Sequence, residues 1–269
     1  MTLVATLLVL TVAAAVRGTW SPCGLSMVSA INPLSERARG NRYWLTTVWF
    51  VAGAVLGGAG LGIGAALLAF LLRPLGTLPE LVLATAGCLL ALAADLRLAG
   101  FHLPLQPRQV NELWLMRYRR WLYATGFGVQ IGVGFATYIM TAATYLVVLL
   151  AGLAGSPALA LLAGLLFGLV RGSAVLLSSR CRSAGALQRL HARLSALESA
   201  SLRTVMLLEL LAAIALGAAA GGIGGVAAGG IGGAVLVAVL AVGMLLPRLP
   251  RRETSGTTDT RNIRTTASA

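Results

Sequence analysis

The chain has 269 residues, of which 58% are hydrophobic and 11% charged; a soluble domain carries roughly 25% charged residues. With a mean hydropathy of +0.86, this composition excludes an ordinary soluble protein and points to an integral membrane protein. The 21 basic residues, all arginine, outnumber 8 acidic ones and give a net charge of +13, but they sit in short loops between apolar runs, where they report membrane orientation rather than nucleic-acid binding.

The first apolar segment runs from Leu3 to about Ile31. Its opening, Leu3 to Val16, has the length of a signal-peptide core with Ala13-x-Ala15 as a cleavage site, yet no basic residue precedes it, so a retained helix is expected. Trp20-Ser21-Pro22-Cys23-Gly24, with Gly18 just before, interrupts this segment. A broken helix at membrane depth is tolerated only where the loosened backbone faces protein or a water-filled cavity, so the interruption marks a candidate site. Further spans are expected over Trp44–Leu72, Leu78–Ala94, Tyr123–Leu150 and Ala158–Leu177, each close to the ~20 residues that cross a bilayer. The long connection Asp95–Arg120 is either a plain connector or carries a short amphipathic helix near Val110–Trp121, with Trp114, Tyr118 and Trp121 at the interface. Thr204 to Leu246 is too long for one span, and the paired glycines at 221–222, 224–225 and 229–230 offer a turn. Seven spans are therefore preferred over six.

Arginine distribution orients the chain. Arg37, Arg39 and Arg42, then the 97–120 group, then Arg180, Arg182, Arg189 and Arg193 mark alternate loops as cytoplasmic. The N-terminus is placed outside the plasma membrane of a bacterium and the tail inside. Residues 1–250 are expected to form one transmembrane domain, and 251–269 a disordered cytoplasmic tail.

Small residues recur at four-residue spacing in the second span (Gly53 and Gly57, Gly58 and Gly62, Gly60 and Gly64) and in the fourth (Gly128 and Gly132), a spacing that lets helix backbones approach closely. Ionisable groups inside spans are costly unless paired or wetted. Arg17, Arg171 and Glu209 are the candidates. Arg171 and Glu209 fall at similar depth and are expected to pair, whereas Arg17 has no evident acidic partner and is expected to face the cavity at Pro22 or to bind backbone carbonyls freed there. Gln130, Thr137, Thr141 and Thr144, spaced seven, four and three residues apart, would share one face of a continuous fourth helix. His102 and His191 fall in polar loops. Neither Cys-x-x-Cys nor any Cys/His spacing suggests a metal, and no cofactor is implied.

The stretch Ser21-Pro22-Cys23-Gly24-Leu25-Ser26 resembles the cytochrome c biogenesis/DsbD transmembrane family, whose members carry Ser-Pro-Cys-x-Leu-Pro early in their first span. The resemblance implies two inverted three-helix halves and a redox cysteine pair that passes electrons from a thioredoxin-like protein across the membrane. In the fourth span, Gly126-Phe127-Gly128 to Gly134-Phe135 is similar to the run before the family's second cysteine, but Ala136-Thr137-Tyr138 stands where Trp-Thr-Pro-Cys belongs. Ser26 also replaces a proline. The match at Cys23 carries over; its usual partner is missing, and either Cys88, mid-span in the third helix, substitutes for it, or the chain is a divergent relative that no longer passes electrons.

The expected protein is thus an all-α, polytopic membrane helical bundle of two inverted three-helix halves. Two functions remain open. One is thiol–disulfide electron transfer through Cys23 and Cys88, with a thioredoxin-like partner. The other is transport of a small solute lined by Arg17, Pro22, Gln130, Thr137, Thr141, Arg171 and Glu209. The lipid bilayer is a partner in both.

Overall fold

The computed structural model describes residues 1–74, 76–98, 117–136 and 139–221. The expected seventh span, the tail, His102, Trp114, most of the 110–121 stretch, Thr137 and Tyr138 lie outside the described residues.

Within them every element is helical: α1 (Thr2–Arg17), a 3-10 turn (Gly18–Trp20), α2 (Pro22–Ala30), α3 (Pro33–Ala38), α4 (Tyr43–Leu72), α5 (Thr77–Asp95), α6 (Arg120–Val133), α7 (Ala143–Leu153), α8 (Pro157–Ser173), a second 3-10 turn (Ala174–Arg180) and α9 (Ala184–Gly221). Five stretches are long and apolar enough to cross a membrane: Thr2–Trp20, Tyr43–Leu72, Thr77–Asp95, Pro157–Arg180 and Ala184–Gly221. The protein is an all-α membrane bundle.

Three helices begin the same way. Ser21, Asn32 and Ser156 each precede a proline, and their side chains accept the backbone N–H of Gly24, Ser35 and Leu159. A residue before proline is held extended, which suits an N-cap, and proline at the first helical position gives up an N–H that has no partner there anyway.

α4 is the hub. Its Gly53 and Gly57 lie against the backbone of α6 at Thr125 and Val129, and its Gly58 and Gly62 against α8 at Gly164, Gly168 and Leu161. The two glycine pairs therefore serve two different neighbours. Gly60 and Gly64, the third pair of the expected pattern, have open space around them. The matching row on α8, Gly164, Gly168 and Gly172, also meets α4 and was not among the expected packing sites. The order of these contacts makes α4 and α6 parallel, and α4 and α8 antiparallel.

Helix pairing is nearly unchanged when the two halves are exchanged. α4 packs on α8 and α5 on α9; α1 reaches α8 as α6 and α7 reach α4; α1 packs on α9 as α7 packs on α5. That is the pattern expected of two three-helix halves of opposite orientation.

Each half holds a broken helix. The first break was expected. The second corrects the continuous fourth span: α6 ends at Val133, Gly134 adopts φ +76°, and the next helix among the described residues begins at Ala143. Positive φ ends a right-handed helix at little cost only for glycine. The face expected from the spacing of Gln130, Thr141 and Thr144 therefore does not exist, because Gln130 belongs to α6 and Thr144 to α7 while Thr141 lies between them.

Candidate functional site

The first break is closed by its own residues. The Ser21 hydroxyl donates to the Gly18 carbonyl (2.7 Å) and accepts the Gly24 N–H (3.1 Å). Cys23 follows Pro22 in the first turn of α2 and is buried among Met27, Tyr43, Phe50 and Phe127. Arg171, near the end of α8, is 4% exposed and lays its guanidinium on Gly18, where an added Cβ would stand 2.6 Å from Cζ. Its cation lies 5.7 Å from the Phe167 ring centroid and within electrostatic reach of Cys23. The Arg171 cation on Gly18 and the first turn of α2, which carries Cys23, thus lie at one break.

Arg17 departs from expectation. It does not face the break unpaired: Nη1 donates to the Glu198 carbonyl (3.2 Å), Nη2 stands 3.9 Å from the Glu198 carboxylate, and the cation lies 5.9 Å from the Trp20 ring centroid. Residues 184–203, read as a polar loop, form the first turns of the long α9, which lie along α1 and α2. Trp20 Nε1 donates to the Leu194 carbonyl (2.7 Å), and His191 Nε2 meets Ser29 Oγ at 3.0 Å. His191 is thus part of the scaffold around the break rather than a solvated loop residue.

The expected ion pair between Arg171 and Glu209 does not form. Arg171 lies at the first break. Glu209, fully buried on α9, has no hydrogen-bond partner at either carboxylate oxygen among the described residues, and its electrostatic neighbours there are Asp95 and Cys88 on α5. Cys23 and Cys88 are not brought together either. They belong to different apolar clusters, and none of the three cysteines forms a disulfide. Cys181 lies just past the α8 span; burial pushes its thiol up, partly offset by Arg189.

The second break is capped from a distance. Asp95, at the end of α5, accepts the Ala142 N–H (2.7 Å) and the Thr141 hydroxyl, and Thr141 Oγ1 accepts the Ala143 N–H (3.2 Å). Arg17 faces Asp95 electrostatically from α1. The candidates therefore sort into two groups: Pro22, Cys23 and Arg171 at the first break, and Arg17, Thr141, Glu209 and Cys88 around Asp95. Gln130 is half-buried on α6, apart from both hydrogen-bond networks.

Two residues central to this geometry escaped the sequence reading. Asp95 was read as the start of a connector. Glu36, fully buried, accepts from Thr46 (2.6 Å), Tyr123 (3.0 Å) and Arg39 (2.5 Å), tying the chain after α2 to α4 and α6. Arg39, read as an orientation arginine, turns inward to this carboxylate and to the Ala30 carbonyl (3.1 Å). The signal available was an acid between Pro33 and Arg39 in a segment otherwise bounded by apolar helices.

The chain is similar to two proteins named methylamine utilization protein MauF: that of Paracoccus versutus, 32% identical over 162 residues (57% of each chain), and that of Paracoccus denitrificans, 31% identical over 171 residues (59% of this chain, 60% of the relative). The chain thus spans less than two thirds of the length of these relatives, and neither carries the cytochrome c biogenesis/DsbD name. No family model matches the chain, and no solved structure does.

Proposed function

We propose that this multi-pass membrane protein serves methylamine utilization, as its relatives are named, and that it does so as a divergent thiol-exchange protein on a cytochrome c biogenesis/DsbD-like scaffold. Cys23 is the working sulfur. The observation that carries this reading is the meeting of Cys23, the buried Arg171 cation and the N-terminus of α2 at one break. Thiol exchange develops negative charge on sulfur, and both neighbours are positive where that charge forms.

The cysteine acts singly within the bundle, since Cys88 lies in another apolar cluster. Its thiolate attacks one sulfur of a partner disulfide. The Cys23–sulfur bond forms as the partner's S–S bond breaks, and the electron pair leaves on the partner's second sulfur, which takes a proton. A dithiol of thioredoxin-like type then resolves the mixed disulfide, restoring Cys23 and becoming a disulfide itself. Because Cys23 is 1% exposed, exchange requires the break to open.

A second reading, small-solute transport, is favoured by one observation: each half contains a broken helix, the device with which inverted-repeat carriers build binding sites. Growth on methylamine of a Paracoccus strain lacking its own relative separates the two. Thiol exchange predicts that Cys23→Ser abolishes growth restored by this chain while Cys88→Ala does not. Transport predicts that Arg171→Met abolishes growth while Cys23→Ser is tolerated. Failure of the unsubstituted chain to restore growth contradicts the methylamine assignment itself.

A further inference from the structure

The acid group around the second break has a feature that thiol exchange at Cys23 does not use. Glu209 is fully buried on α9, and among the described residues neither of its oxygens has a donor. α9 packs on α5, which presents Cys88 and Asp95 seven residues apart, on one face two turns from each other. Both are electrostatic neighbours of Glu209.

The two carboxyl groups are not equivalent. Asp95 accepts two hydrogen bonds from the start of α7, at the positive end of that helix, and faces Arg17 from α1. Those groups compensate a negative charge. Glu209 has no such compensation, and an ionised carboxylate without donors in an apolar interior is strongly disfavoured. Two carboxyl groups within each other's field also resist a second charge. The other charged groups on elements packed against α9 are Glu80 in the first turn of α5, Arg17 on α1, which is engaged by Glu198, and Arg180 on the 174–180 turn. On α9 itself the nearest are Arg203 and Glu198. Among the described residues no three metal-ligating side chains gather to hold a metal ion here.

We infer that Glu209 is a proton-binding site inside the bundle, occupied in the packed state and linked through Asp95 to the second break. Loading or emptying Glu209 changes the field on Asp95, which caps the restart of helix at Ala143. A proton thereby acts on the half of the molecule opposite Cys23. This inference does not depend on the Cys23 reading, and either can fail alone.

A hydrophobic carbodiimide tests it, because it couples to protonated carboxyl groups in apolar surroundings. The full-length protein in lipid nanodiscs is treated across a pH series and the adducts are located by peptide mass spectrometry. The expected result is an adduct at Glu209 that declines as pH rises, with none at Asp95. Asp95→Asn removes the neighbouring charge and moves the decline to lower pH; Cys88→Ala leaves it in place. Glu209→Gln, which mimics the protonated form, is expected to fold and to lack the alkaline loss of thermal stability expected of the unsubstituted protein. Sign and cause agree: a proton held by the folded state and released on unfolding makes stability fall with rising pH. Absence of an adduct at Glu209 at every pH, or a stability profile identical in Glu209→Gln, overturns the proton site. An unshifted profile in Asp95→Asn overturns its link to the second break.

Discussion

The two broken helices occupy equivalent places in the two halves and are closed by opposite means. At the first, Ser21 caps the restart within its own turn, and the buried charge laid on the break is a cation, Arg171. At the second, the cap comes from Asp95 on another helix, and the charge at the break is a half-buried anion. The first break is therefore written locally and suits a negatively charged sulfur. The second exists only through tertiary packing and suits a proton. Two interruptions of one architecture have been given complementary electrostatics.

Substitutions at the caps can break this contrast. The largest effect is expected from Asp95→Ala, which leaves the Ala142 N–H and the Thr141 hydroxyl without their acceptor: about 2–3 kcal/mol of stability, read by denaturant unfolding in detergent. Ser21→Ala removes a local cap only and is expected to cost about 1 kcal/mol in the same assay. Equal losses at the two caps would contradict the distinction between a local and a tertiary break.

Between these lies a test of how the halves are joined. A Cβ at Gly58 would stand 2.9 Å from the Gly168 backbone, so Gly58→Ala should cost about 1–3 kcal/mol by overpacking the α4–α8 contact. Gly60→Ala, with open space around the site, is expected to stay within about 0.5 kcal/mol of the parent, the smallest effect of the series. A cost at Gly60 matching that at Gly58 would mean that α4 presents a different face to α8.

The same contrast explains what was legible in the sequence. Serine followed by proline within an apolar run carries its own cap and its own helix start, so the break at Ser21 and Pro22 could be read from adjacent residues. The second break could not. Its glycine-rich approach was visible, but the acceptor that stabilises it, Asp95, lies 47 residues from Ala142 in sequence, and spacing along one helix says nothing about it. The same limit accounts for Arg17 and Arg171. Their depth is recognisable from the apolar residues around them, but Arg171 is expected to pair with Glu209, and Arg17 to have no acidic partner. Glu198 gives no signal as a partner because the polar start of α9 reads as a loop, although it is helix held against α1 and α2 by Trp20, Arg17 and His191. Alternate glycine pairs on α4 were recognisable as packing sites; which pair meets α6, which meets α8 and which is open depends on neighbours fixed only in the fold.

The central claim is that the first break makes Cys23 the reactive sulfur through Arg171 and the α2 N-terminus. Alkylation rates of Cys23 and Cys88, measured by mass spectrometry on the full chain in lipid nanodiscs with and without Arg171→Met, test it most directly. The account predicts that Cys23 reacts faster than Cys88, and that Arg171→Met slows Cys23 while leaving Cys88 unchanged. Equal rates at the two cysteines, or a Cys23 rate indifferent to Arg171, would contradict it.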